Sequence, residues 1–182
     1  TTDNFTTKSG TGFIGGMVAT VDIPHKWYTV SYGFQFSQNS LEITGRPSLT
    51  TITQEPIEYD IKMAQVSFLL HVKLVSDYLT LDVGPQLQYK HGLELKEDNQ
   101  SNFIIQGYDN LFAEDLSNIS NFNANGVIGA SAGIGNFKLR AAYSYGFTNI
   151  LGKLNDQDFN LNNADRFEGN QSMLSFALMI TF

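Results

Sequence analysis

The chain contains three histidines, His25, His71 and His91, and no cysteine. Nucleophilic chemistry would therefore have to come from hydroxyls, carboxylates and these imidazoles. A lipid hydrolase needs a serine beside a histidine that an acid steers. His91, just after Lys90, has Glu94 and Ser101 nearby in sequence and is the histidine best placed for such a site. His25 falls in a short turn, and His71 is expected to point inward. No Gly-x-Ser-x-Gly elbow marks a nucleophile, so His91 reads first as a solvated rim residue and no catalytic residue is assigned. The run from Asp156 to Asn162 sets oxygen-bearing side chains at alternate positions, like the start of a calcium loop. Leu161 then stands where glycine is required and Phe167 where a glutamate is required. An ordinary solvated loop is expected, with no metal and no cofactor.

The remaining polar groups of interest are Asp82, Arg140, Lys138, Lys73, Gln65, Gln86 and Gln88. Their meaning depends on the segments that carry them. In the last segment, Leu174, Phe176, Leu178, Ile180 and Phe182 alternate with Met173, Ser175, Ala177, Met179 and Thr181. A period of two is the mark of a strand with different surroundings on its two sides. From Phe137, the residues Leu139, Ala141, Tyr143, Tyr145 and Phe147 oppose Lys138, Arg140, Ala142, Ser144 and Gly146. After Tyr78, Leu79, Leu81, Val83, Pro85, Leu87 and Tyr89 oppose Thr80, Asp82, Gly84, Gln86, Gln88 and Lys90. In Tyr28 to Ser37, the aromatic and apolar set opposes Thr29, Ser31, Gly33, Gln35 and Ser37. The apolar faces meet either lipid or a second sheet. Small or polar residues opposite apolar faces with aromatic ends are the inverse of a soluble barrel.

Seven strands are expected: Gly12 to Val21, Tyr28 to Ser37, Glu58 to Leu74, Tyr78 to Lys90, Phe122 to Ile134, Phe137 to Thr148 and Met173 to Phe182. Short turns at Pro24 to Lys26, Ser76 to Asp77 and Gly135 to Asn136 alternate with long polar connections at Asn39 to Pro56, His91 to Asn121 and Asn149 to Ser172. Outer-membrane barrels have this asymmetry, with short periplasmic turns and long external loops. The fold class expected over 1–182 is one domain, all-β: a small antiparallel up-and-down transmembrane β-barrel of the eight-stranded type. Its polar residues Asp82, Arg140, Lys138, Gln65, Gln86 and Gln88 would line the interior, with Asp82 paired to Arg140, and Phe182 would be the C-terminal insertion signal. Bacterial single-chain barrels use even strand numbers. The eighth is expected upstream as a first strand; otherwise a partner covers the gap, or the polar, non-alternating Thr1 to Gly10 pairs there.

Composition fits this picture. No apolar run reaches the length of a transmembrane helix, yet a strand crosses with only about 9–11 residues. With 13% aromatic residues, 16 glycines and 4 prolines, the chain suits strands joined by turns. A net charge of −7 argues against nucleic acid. Within His91 to Asn121, the residues Phe103, Ile104, Ile105, Tyr108, Leu111 and Phe112 form an apolar run. It either folds over the barrel mouth or contacts a partner.

Gly12-Phe13-Ile14-Gly15-Gly16, Val83-Gly84-Pro85-Gln86-Leu87-Gln88-Tyr89 and Arg140-Ala141-Ala142-Tyr143-Ser144-Tyr145-Gly146 occur in that order. The sequence resembles the PorT-like outer-membrane β-barrel family of the Bacteroidota, whose strands carry Gly-Phe-x-x-Gly, Gly-Pro and Arg-Tyr-Ser-Tyr-Gly. It departs from that family at Ala64-Gln65-Val66-Ser67, where a Leu-Glu-Ile-Pro strand is usual. The resemblance implies a place in the bacterial outer membrane, with long loops outside and the C-terminus periplasmic, and it accounts for Pro85 within a strand. It says little about mechanism. The function expected is a non-enzymatic accessory or structural subunit of a secretion, motility or uptake assembly, with outer-membrane lipid and envelope proteins as partners. The alternatives are a lipid-modifying hydrolase near His91 and a soluble lipocalin-like ligand-binding barrel.

Overall fold

A computed structural model describes residues 7–51, 53–117, 119–156 and 166–182. Seven long strands form one antiparallel sheet in the order β1 (Thr7–Asp22), β2 (Tyr28–Arg46), β3 (Glu55–Val75), β4 (Leu79–Lys90), β7 (Phe122–Ile134), β8 (Phe137–Gly146) and β9 (Ser172–Ile180). Two short strands lie outside this path: β5 (Glu94–Leu95) pairs with β3, and β6 (Ile104–Ile105) pairs with β2. The sheet curls into a nearly closed barrel. Each long strand neighbours the next in sequence, as an up-and-down meander requires.

The register fixes which residues share a face, because directly opposed residues of an antiparallel pair point the same way. Gln35 lies opposite Gln65, Gln65 opposite Gln88, and Gln88 opposite Asn123. Ser131 lies opposite both Thr80 and Arg140. These polar side chains face inward. The outward rows are Tyr32, Phe34 and Phe36 on β2, Val66 and Phe68 on β3, Leu81, Val83 and Leu87 on β4, Leu139 and Tyr143 on β8, and Leu174, Phe176 and Leu178 on β9, all exposed. From Leu79 to Tyr89 a strand rises about 34 Å, or about 26 Å after a tilt near 40°, which matches the apolar band of an outer-membrane barrel. Such a surface would be insoluble in water and is at home in lipid. The soluble lipocalin-like alternative is thereby overturned, since that fold keeps its apolar face inside.

The strands are longer than the sequence pattern indicates. Asn39 to Pro56 reads as a long loop, but β2 continues to Arg46 and β3 begins at Glu55. The cause is a change of polarity along one strand. Through Phe36, β2 is apolar outside and polar inside. Beyond Gln38, Leu41 and Ile43 turn inward beside Tyr59 and Ile57, while Glu42 opposes Glu58 on the outer face. The hairpin thus leaves lipid near Gln38 and Lys62 and continues into water as an ordinary amphipathic sheet. Likewise, Thr7 to Gly10 belong to β1, not to a separate polar stretch. Pro85 causes no register shift: it sits opposite Gly126, and around it the ladder to β3 lacks the pairs across from Pro85 and its neighbour Gly84.

Over the hairpin's inner face the two long loops build a cap. Ile43, Ile57, Tyr59, Ile61, Leu93, Ile105, Leu111, Leu116, Ile119, Leu151, Leu154 and Phe167 form one buried cluster at this end. Tyr59 donates to the carbonyl of Ala113 at 3.0 Å, and Asn149 and Asn155 donate to that of Phe167 at 2.7 and 3.0 Å. The loops are therefore folded structure, held by apolar burial and by side chains that satisfy their backbone groups.

Candidate functional site

The buried carboxylate of the lumen is Asp82, 0% exposed. Its carboxylate accepts from Thr80 Oγ1 at 2.9 Å and Ser131 Oγ at 2.6 Å, lies 2.6 Å from His71 Nδ1, and meets Arg140 Nε at 3.2 Å. The Arg140 contact is ionic and is not aligned as a hydrogen bond. On the far side of the imidazole, His71 Nε2 lies 2.7 Å from Ser31 Oγ. The pairing expected between Asp82 and Arg140 is present, inside a larger network that strand alternation alone does not reveal. Ser31, Thr80 and Ser131 are ordinary inward hydroxyls in the sequence; Thr80 reaches Asp82 from two residues away on β4, whereas cross-strand register brings Ser131 to Asp82 and Ser31 to His71.

Ser31, His71 and Asp82 stand in the order of a hydrolytic triad, and two features oppose that use. Ser31 is 2% exposed. Its strand lies in the sheet between β1 and β3, so its backbone N–H groups serve the ladders and leave no free pair to hold an oxyanion. As built, the network satisfies a buried charge. His91, at the capped rim, is exposed, and its backbone N–H donates to the carbonyl of Lys62 at 3.2 Å. Among the described residues no hydrogen bond joins its ring to Ser101 or Glu94. The stretch read against a calcium loop falls largely on residues 157–165, outside the described residues.

Towards the cap, amides fill the lumen. Gln65 donates to Gln35 at 3.2 Å, Gln88 to Gln65 at 3.3 Å, and Asn125 to Gln86 at 2.9 Å. Gln65, Gln86 and Gln88 thus lie where strand parity places them. Lys138 faces the same side but is half-buried at the turn end, near Asp77 and Asn136. Lys73 bonds there to Asp22 and Asp77, both at 2.9 Å. Lys90, where polar lumen meets apolar cap, is 0% exposed and its Nζ has no partner among the described residues.

The apolar run thought able to fold over the mouth or meet a partner lies in the cap. Ile104, Ile105, Tyr108 and Leu111 are buried, Phe103 is half-buried, and Tyr108 packs on Phe167 with ring centroids 5.4 Å apart. Four of the six are therefore withdrawn from any partner, and Phe112 is the one left exposed, at 37%. The cap's outer flank carries ion pairs: Lys62 with Glu94 at 2.7 Å, and Lys96 with Glu58 at 2.9 Å. The Lys62 ammonium holds the Glu94 carboxyl below the usual carboxylate range, and Glu58 raises Lys96. Burial, with a smaller contribution from Asp115, raises the Tyr59 phenol. Phe182 is fully exposed beyond β9, on the side of the outward row.

No curated protein and no solved structure matches the chain. A family model described as outer membrane protein beta-barrel domain matches residues 2–152, and with the apolar outer band and polar lumen already in place, the chain belongs to that family of outer-membrane barrels.

Proposed function

We propose that this outer-membrane barrel is a non-enzymatic structural or accessory subunit of a cell-envelope assembly, of PorT-like type, with its cap outside the cell and its C-terminus periplasmic. The observation that carries this reading is the double closure of the lumen. Side chains fill the interior, as the width of a small barrel allows, and the apolar cap covers one mouth. Filling and capping together leave the cap surface as the face outside the membrane that is offered to other molecules. Large apolar side chains left bare there are Phe112 and Leu49, the latter 52% exposed in the β2–β3 turn. Exposed apolar groups of this kind mark partner surfaces when they stand together.

Purification from native membranes in mild detergent, followed by identification of co-eluting envelope proteins, tests the proposal. A stoichiometric partner lost in the Phe112→Ala and Leu49→Ala double variant is the expected result. A monodisperse barrel with no partner in either form would overturn it. The enzyme reading makes the opposite prediction at the rim: His91→Ala would abolish lipid turnover, whereas the proposed function leaves any such turnover in the membrane unchanged.

A further inference from the structure

The amide tier directly beneath the cap holds more buried polar atoms than its own side chains satisfy. Lys90 Nζ, Gln88 Oε1, Asn123 Nδ2, Asn125 Oδ1 and Gln171 Oε1 are all buried with no hydrogen-bond partner among the described residues. Such atoms are rare in folded proteins, and a group of them in one place points to water or a ligand. The register gathers them. Gln88 lies opposite Asn123, and Lys90, two residues further along β4 on the same face, lies opposite Met63. Gln171 ties the far wall to Met63: its carbonyl accepts from the Gly146 N–H at 2.8 Å, and its Nε2 donates to Met63 Sδ at 3.3 Å. Gly146 in turn stands close against Asn123, where an added Cβ would lie 2.5 Å from Nδ2. These residues therefore follow one another around one level of the lumen wall.

Charge distinguishes this level from the rest of the lumen. Lys90 is 0% exposed, and its backbone bonds in both directions with Asn121, whose side-chain oxygen accepts from a second ammonium, Lys153, at 2.5 Å. Among the described residues no carboxylate answers Lys90. Glu94 and Asp60 pair with Lys62 and Lys96 on the outer face, and Glu168 pairs with Arg166. Asp82 is eight residues away along β4, about 26 Å at the rise of a strand. Waters can satisfy the amides. A fixed charge taken out of bulk water needs more than dipoles, because its lost hydration is repaid only by an opposite charge close by.

We propose that Lys90 and Asn123 hold a small monovalent anion, of halide size, beneath the cap. Lys90 Nζ supplies the charge and a donor, Asn123 Nδ2 supplies a second donor, and Lys153 adds to the favourable potential. The oxygens of Gln88, Asn125 and Gln171 accept from the waters that complete the anion's shell. The filled lumen sets the size of the ligand: a halide is content with two protein donors and water, whereas sulfate or phosphate would need donors fanned around several oxygens.

The test is a urea titration of the folded barrel in non-ionic detergent at fixed ionic strength, with chloride replacing gluconate. Since the unfolded chain has no such site, the folded-to-unfolded ratio is expected to rise about tenfold when chloride stands at ten times its dissociation constant. Lys90→Met should lose this response. Lys62→Met, which removes an ammonium from the outer face, should keep it. In gluconate Lys90→Met is expected to be the more stable protein, and chloride should narrow the gap. Heat-modifiable migration shows that each variant is folded. Wild-type crystals soaked in bromide provide a readout independent of any variant, with anomalous density expected within hydrogen-bond reach of Lys90 Nζ. An equal chloride response in wild type and Lys90→Met, or bromide density confined to surface lysines, would each overturn the proposal and leave water as the sole occupant of this tier.

Discussion

At the residue scale, Asp82 is the hinge of the lumen, and its worth lies in the charges it neutralises. Removing its charge leaves the Arg140 guanidinium buried beside it without an anion, a change that typically costs about 3–5 kcal/mol. Asp82→Asn is expected to lower the urea midpoint of the folded barrel in detergent by that order. Arg140→Met added to it should recover more than half of the loss, and independent, additive losses would show that the two residues do not act as a pair. Lys90 is the opposite case, a buried ammonium with no acceptor among the described residues. Lys90→Met keeps the stem's apolar volume and deletes the unpaired group. It should raise stability by about 1–3 kcal/mol, and a destabilised variant in the same urea titration would refute this. The Asp82–Arg140 pair was legible because strand parity alone places both residues inside. Ser31, His71 and Ser131 were not, because their convergence on Asp82 depends on registers across three strand pairs, and sequence alternation fixes a residue's face but not its height.

At the element scale, β2 and β3 each do two jobs in succession, and the level at which they change is testable. Phe68 lies within the outer band of β3, whereas Asp60 lies above it on the same face. Phe68→Arg should cost about 2–4 kcal/mol, as a cation near the midplane does, and Asp60→Arg, which loses only surface contacts to Gln38 and Lys96, should cost under about 1 kcal/mol. Equal effects, read in the same unfolding experiment, would remove the proposed boundary. This was the part of the fold least legible beforehand. The membrane half of β2 alternates with aromatics outside, and beyond Gln38 the period of two persists with its sign reversed, so polar residues such as Glu42 and Thr44 imitate a loop. The cap is the second element with its own energetics. Leu116→Ala and Leu154→Ala each open a cavity in a fully buried site, at a typical cost of about 2–5 kcal/mol. Because these residues belong to the cluster at the capped end and not to the membrane band, the expected outcome is rapid proteolysis within 91–121 while the barrel keeps its heat-resistant migration. The flank pairs add a pH dependence of known sign. Glu94 titrates below its ordinary range, so its contribution is present above the unfolded carboxylate pKa and fades as pH falls through the lower folded value. Acid should therefore loosen the β5 contact to β3.

At the scale of the whole molecule, the same physical rule is applied twice with opposite signs. In lipid the barrel must keep its backbone paired and its polar side chains inside. In water the hairpin and loops must hide their apolar side chains, and the inner face of the hairpin is the surface available to hide them on. The cap is thus the consequence of strands that outrun the bilayer: their inner faces become apolar above the membrane, and loops rich in Ile, Leu and Tyr are needed to cover them. That cover closes the mouth of a lumen already filled by the Asp82 network and the amide tiers. The composite is a plug with two layers, and the layers can be separated experimentally. In planar bilayers the wild-type barrel should show no steady conductance. Leu116→Ala with Leu154→Ala should still show none, because the amide tiers of Gln35, Gln65 and Gln88 remain in place beneath the loosened cap. Conductance should appear only when Gln65→Ala and Gln88→Ala are added, removing side chains that are 1% exposed in the intact barrel. A steady ion current through the wild type would mean that the lumen holds a continuous wet path, and would favour a channel over the proposed anchor.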